Sequence, residues 1–261
     1  QTTLYTGDGA SSLAVNQGGN STFQPDLAWI KNRDATDAHI LTDAVRGVTK
    51  FISSNSADAE TTDADTLTAF DSDGFTVGDD VKVNTSGEDY VGWQWKANGS
   101  GSSNTDGTIT ATVSADTTSG FSILTYTGVS GTQTIGHGLG VAPLMMIAKR
   151  RSSSDSWSVF HTSLPLTDVL LLDSSAAAYN PGDADWQDTA PTSSIVYVGD
   201  AAGRTNYTDL TYVMYCFAEV DGFSKFGSYT GNGDANGPFI GCGFKPAFII
   251  TKISSGADNW S

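Results

Sequence analysis

Large apolar residues recur along this chain in short alternating runs, separated by stretches rich in Gly, Ser, Asn and Asp. In YVGWQW, Tyr90, Gly92 and Gln94 fall on one face of an extended strand, and Val91, Trp93 and Trp95 on the other. The run YVMYCF sets Tyr212, Met214 and Cys216 against Val213, Tyr215 and Phe217 in the same way. The second set stays large and apolar in both runs, which predicts it as the core face. Leu27 and Trp29, Met145 and Ile147, and Phe248 and Ile250 alternate inside PDLAWIK, PLMMIAK and PAFIITK. Each of these segments opens on a proline, a residue suited to the first position of a strand. AHILTDAVRGVTKFISSN and VFHTSLPLTDVLLLDSS read as mostly strand. Period-two patterning with turn-forming gaps predicts an all-β protein.

The runs belong to a repeat. Tyr-Thr-Gly occurs at Tyr5-Thr6-Gly7, Tyr126-Thr127-Gly128 and Tyr229-Thr230-Gly231. Downstream of each, a proline is followed six residues later by Lys31, Lys149 or Lys252, and six further on by Asp37, Asp155 or Asp258. Two positions beyond stand His39, Trp157 and Trp260. The first two copies continue in parallel, DGFTVG matching SIVYVG and DYVGWQWKA matching TYVMYCFAE. The expected organisation is a tandem of antiparallel sandwich-like units at residues 1–97 and 121–221, a linker at 98–120, and the opening strands of a third unit at 222–261. Within the linker TITATVS alternates like a strand. The join VDG is so short that copy three should start as a hairpin partner of the preceding strand, so that the opening strand of one unit sits in the sheet of the unit before. The third copy stops early, so the parent product is expected to be longer, or the last strands to pair with earlier units or a neighbouring chain. Gln1 reads as a processed, trimmed or internal start.

A formal charge of −16 narrows the partners. Such a surface repels phosphate backbones and anionic lipid heads, so neither nucleic acid nor membrane adhesion is expected. No apolar run approaches the ~18 residues of a spanning helix. Two cysteines, Cys216 and Cys242, form no framework, and neither recurs in the sister copies; free thiols are expected ahead of a local disulfide between them.

Catalytic and metal patterns are sparse. His137 in GHGLG aligns with Gly19 and Ile240, so it reads as a loop residue and not as a shared base. There is no G-x-S-x-G elbow and no zinc spacing, and no metal or cofactor is expected. NGDANG resembles the start of a calcium loop, but Gly243 stands where its closing glutamate belongs. Asp58, Asp63 and Asp65, with Asp183 and Asp185, read as solvated loop carboxylates. Asp37, Asp155 and Asp258 recur beside a turn and are assigned a turn role. No carboxylate pair stands out for glycoside hydrolysis. The binding candidates are aromatics in polar loops, Trp157, Trp186 and Tyr179, whose rings would stack on a sugar of a host surface glycan. The competing reading places Trp157, like Trp260, at the edge of a core. N-x-S/T sequons at Asn20, Asn84, Asn98, Asn206 and Asn259 are of the number expected by accident in so Asn-, Ser- and Thr-rich a chain.

Taken together, PDLAWIKNRD, DAVRG, SSNSADAE, TAFDSDGFTVG, IGHGLGVAP and YVMYCFAEVDGFSKFGSYTGNG resemble a repeat domain of uncharacterised function in tailed bacteriophages, especially marine and cyanobacterial ones. The resemblance runs from residue 3 to 260. It implies a virion surface protein, fibre-like, outside the capsid, homo-oligomeric and in contact with other virion proteins. The leading expectation is a non-enzymatic fibre or adhesin engaging the host envelope through multivalent weak contacts. The alternatives are a structural capsid or tail decoration protein and, behind it, a polysaccharide-degrading enzyme.

Overall fold

The computed structural model describes residues 1–19, 21–182, 184–200 and 203–261. The Asn20 sequon and Asp183 of the acidic run therefore lie outside the described residues. The first unit holds β1 (Thr2–Thr6), β2 (Leu13–Asn16), β3 (Leu27–Asn32), β4 (Ile40–Asp43), β5 (Lys50–Phe51), β6 (Thr61–Thr62), β7 (Leu67–Asp71), β8 (Gly74–Val77) and β9 (Asp89–Trp95). A single helical turn, α1 (Val81–Asn84), is capped by Asp80, which accepts from the Lys82 amide. The second unit follows with β10 (Ser102–Asn104), β11 (Ala111–Asp116), β12 (Phe121–Thr127), β13 (Gln133–Gly136), β14 (Met145–Arg150), β15 (Ser158–His161), β16 (Leu170–Leu171), β17 (Ile195–Val198) and β18 (Thr211–Phe217). The chain is all-β, with antiparallel pairing throughout the named strands.

The two units repeat in space as they do in sequence. Sheet order β1-β9-β3-β4 in the first recurs as β12-β18-β14-β15 in the second, and β2-β8 recurs as β13-β17. Registers agree residue for residue: Tyr5 pairs with Tyr90 as Tyr126 pairs with Tyr212, and Leu27 with Trp95 as Met145 with Phe217.

The recurring Tyr-Thr-Gly has a local cause. Tyr5 stacks on Tyr90 at 5.1 Å and Tyr126 on Tyr212 at 5.2 Å. Their hydroxyls donate to the loop ahead of the central strand, Tyr5 to Val83 O and Tyr126 to Thr205 O. Tyr90 donates to Val81 O and Tyr212 to Gly203 O, again at matching positions. The glycine lets that loop approach: a Cβ on Gly7 would lie 2.2 Å from Thr85 O, and one on Gly128 2.2 Å from Tyr207 O. Asn84 and Asn206, six residues before the central tyrosines, lock the same loops. Asn84 accepts from the Asp8 amide and donates to Ala10 O and Gly78 O; Asn206 accepts from the Val129 amide and donates to Val129 O and Gly131 O. Both side chains are buried, so these two sequons are structural and closed to a glycan. Asn206→Ala is expected to lower stability by roughly 1–3 kcal/mol, because the buried loop amide and carbonyls lose their partner; a urea melt measures it.

The main sheet of the second unit is buried on both faces, and that of the first on its inner face and, at Leu27 and Leu41, on part of its outer one, which revises the assignment of faces. Tyr90 of the first unit, with Ala28, Ile30, Ile40 and Phe75, forms that unit's own sandwich core. Tyr212, Met214 and Cys216 do the same in the second, with Met146 and Phe160. Val213 and Tyr215 on the opposite face, predicted as the core face, enter a third core shared between units, together with Leu27, Leu41, Ile147 and Trp157.

Residues 98–120 form strands β10 and β11, which extend the sheet of the second unit beside β12, so this stretch is only partly a linker. The expected opening strands of the third copy are absent: among the described residues no strand follows β18, and only an isolated bridge joins Val220 to Ser224. The reason lies in the pairing. β1 and β3 both bond to β9, as β12 and β14 both bond to β18, and residues 222–261 include no such central strand. For the same reason the opening strand of a unit sits in its own sheet, not in that of the unit before.

Candidate functional site: the seam between repeat units

The shared core is closed by polar contacts that cross from one unit to the next. Lys149, at the end of β14, is fully buried. Its ammonium donates to Arg150 O and Asp155 O of its own unit and to Ala57 O of the first, at 3.0 Å. Burial pulls its pKa from 10.5 down to about 8. The Asp155 amide donates to the same Ala57 carbonyl at 2.8 Å, while the Asp155 side chain pairs with Arg150 at 3.1 Å. Trp157, likewise fully buried, sends its indole N–H to Ser53 O at 2.9 Å and Ser56 O at 3.2 Å. The Lys-Asp-Trp motif is thus a docking device: every group in it reaches backbone carbonyls of the preceding unit.

A buried charge network lies beside it. Arg46, on the turn after β4, bonds Asp43, Glu60 and Leu41 O within the first unit and the Tyr215 hydroxyl of the second at 3.2 Å. Tyr215 in turn donates to Asp43 at 2.8 Å. Glu60 receives both Arg151 nitrogens, at 2.9 and 3.0 Å, a forked pair that also crosses the seam. Burial pushes the Glu60 carboxyl up, but Arg151 and Arg46 more than offset it and hold it below its ordinary 4.5. This network was not anticipated; the only trace in the sequence is the Asp43–Arg46 spacing inside an otherwise apolar segment.

The second unit repeats the contact toward the third copy. Lys252 donates to Ile253 O, Asp258 O and, across the join, Ser175 O at 3.1 Å. The Asp258 amide reaches Ser175 O at 2.8 Å and the Trp260 indole reaches Leu171 O at 2.9 Å. Ile52 bridges to Leu41 as Leu170 pairs with Val159, so Ser175 stands where Ala57 does and Leu171 where Ser53 does. In the first unit the motif ends in His39, which accepts from the Trp29 indole at 3.0 Å. Burial, with Lys31 nearby, pulls His39 from 6.5 to about 4.

These contacts correct the sugar-stacking assignment. Trp157 is sealed inside the seam, and Trp186 is buried in the second unit's own core against Phe160, so neither offers a ring face to a ligand. Tyr179 is half-buried, hydrogen-bonded through its backbone to Val169, with the Arg204 guanidinium 5.9 Å from its ring. The three residues do not converge on one site. His137 is buried and bonds Thr192 O and the Leu139 amide, holding its loop. Among the described residues no three His, Cys, Asp or Glu side chains gather in a way that would hold a metal ion. No helix among them is long and apolar enough to cross a membrane. Cys216 is buried, its thiol pushed up to about 12 by desolvation, and Cys242 is half-buried; both are free.

Acid is expected to loosen the fold in two stages. His39 and Glu60 both have folded values below their ordinary ones, so each contributes stability that is present above its ordinary value and lost as pH falls. For His39 the window runs from 6.5 to about 4; for Glu60 it opens below 4.5. Urea midpoints taken through these windows should fall in that order. His39→Gln should lessen the upper stage without touching the lower, the rest of it coming from His137 and His161, which burial also holds below 6.5.

Fold and seam together define an all-β tandem-repeat module whose units share a core through a repeated docking motif. The chain belongs to the family described as the domain of unknown function DUF7483, which matches it over residues 1–261, across both complete units and the third copy. No curated protein and no solved structure matches it.

Proposed function

We propose that this chain is a non-catalytic module of a phage virion surface protein, of the fibre or adhesin type, in which locked repeats hold outer loops toward the host envelope. The observation that supports this reading most is the seam: the same lysine, aspartate and tryptophan contacts are used twice, and the main sheet of the second unit is buried on both faces. Repeats joined in this way are stiff relative to one another, as a protein exposed to shear outside a particle requires. Copies presented together turn weak contacts into avidity: a site of millimolar affinity contributes about 4 kcal/mol, and several engaged at once suffice for attachment. Its partners on this reading are further copies of itself, other virion proteins and a host surface glycan.

Decoration of the capsid or tail, with no ligand of its own, is the second reading. Burial of Trp157 and Trp186 favours it, since it removes two of the three sugar-stacking candidates. Immunogold electron microscopy of native particles, with an antibody raised to this chain, separates the two. Label on fibres or tail tips supports attachment, and label spread over the head supports decoration. Particles that carry no label and yield no peptides of this chain by mass spectrometry would overturn both.

A further inference from the structure

The three copies turn about a common centre. Copy three docks on the second unit through Lys252 and Trp260, yet it also returns to the first: the Phe248 ring lies 5.7 Å from both Trp93 and Trp95. Units stacked in a line would not bring the third back against the first. A seam from copy one to copy three is therefore the remaining side of a triangle, and its docking motif is Lys31, Asp37 and His39. That side is open. Both acceptors of the Lys31 ammonium, Asn32 O and Ala35 O, belong to its own unit. A groove of about 420 Å³ runs there, lined by Trp29, His39, Trp93, Phe248 and Trp260 among others. On the copy-three side, Phe223, Phe239 and Ile249 are 60%, 96% and 66% exposed; the sister segments of the first and last are β12 and β14, both paired to β18, and that of Phe239 is β13, paired to β17.

We propose that this open seam is a docking site for the second half of a repeat unit of the same family, a stretch of the kind spanning residues 158–220. Such a half-unit carries both things the site lacks. Its loop of the 171–175 type presents the carbonyls that Lys31 and the His39 position would meet, and its strand of the 211–217 type is the missing partner of copy three. A second copy of this chain has neither to spare. Its Ser53–Ala57 loop is taken by Lys149 and Trp157, its Leu171–Ser175 loop by Lys252 and Trp260, and β9 and β18 are each paired on both edges.

The repeat sets the register of the test. Ser261 aligns with Ser158, so appending the sequence of residues 159–220 after Ser261 completes a third unit without any designed joint. Hydrogen exchange read by mass spectrometry is expected to slow at least about tenfold across residues 224–250 in the extended chain, relative to the original. Acrylamide quenching of tryptophan fluorescence should weaken as Trp29 and Trp93 are covered. Unchanged exchange at 224–250, with the appended residues cleaved by protease as a loose tail, would overturn the proposal. Should the extended chain prove insoluble, the original chain is titrated with a synthetic peptide of sequence DLTYVMYCFAEV. Saturable protection of 224–250 then supports the proposal, and its absence overturns it. A dimeric original chain with 224–250 already protected would make a second copy the occupant and would equally overturn it.

Discussion

Arg46→Met is expected to destabilise the protein by about 3–5 kcal/mol, more than most single substitutions, because it leaves a carboxylate buried without its cation. Arg46 and Asp43 have no side-chain exposure at all. With the guanidinium gone, Asp43 keeps only the Tyr215 hydroxyl and the amide of residue 46, and Glu60 keeps only Arg151. The energy at stake is that of an uncompensated charge, not that of the pair itself, since a buried pair gains little over apolar residues of the same volume. The double variant Asp43→Asn with Arg46→Met is accordingly expected to cost less than Arg46→Met alone. Urea or guanidinium unfolding of the wild type, both single variants and the double completes the cycle. If Arg46→Met costs under ~1 kcal/mol, the network is not what holds the seam. Because Arg46 bonds Tyr215 across the seam, loss of the guanidinium should also raise protease access between the units before global unfolding.

What was legible in the sequence, and what was not, follows from where each signal originates. The Tyr-Thr-Gly, proline–lysine and lysine–aspartate spacings were visible because each is imposed within a unit: a tyrosine hydroxyl seeking a loop carbonyl, a glycine admitting that loop, a lysine reaching the carbonyls just beyond it. The strands β3, β9, β14 and β18 followed from alternation, whereas residues 38–55 and 159–175, read as mostly strand, hold only the short β4 and β5, and β15 and β16, between turns. Alternation states that two faces differ, but not what lies opposite them. Tyr215 and Val213 looked like an ordinary core face and proved to be the boundary between units. The seam partners of Lys149 and Trp157 left no mark on residue type at all. Ser53, Ser56 and Ala57 offer backbone carbonyls, which any residue would supply. Strand formation in copy three failed for the complementary reason: its residues have the right pattern, but a strand exists only with a neighbour to pair with, and pairing is not a property of the segment.

Trp157→Ala is expected to cost about 3–5 kcal/mol, comparable to the loss of Arg46 but by a different route. The indole fills the space between the units with no exposed surface, and truncation to Ala leaves a cavity lined by both. It also strips the donor from Ser53 O and Ser56 O. Trp157→Phe separates the two contributions: most of the volume is restored while the donor is not, so about 1–3 kcal/mol should remain. Trp260, the sister residue, is only half-buried and holds a copy that lacks its sheet, so Trp260→Ala should cost distinctly less. The ordering Trp157→Ala, then Trp157→Phe, then Trp260→Ala is what a docking motif demands. A tryptophan kept for sugar stacking would behave otherwise. Its removal would abolish glycan binding and leave the unfolding midpoint where it was. A Trp157→Ala protein as stable as the wild type would therefore mean that the indole does not bind the units together, and that the carbonyls of Ser53 and Ser56 are reached by something else.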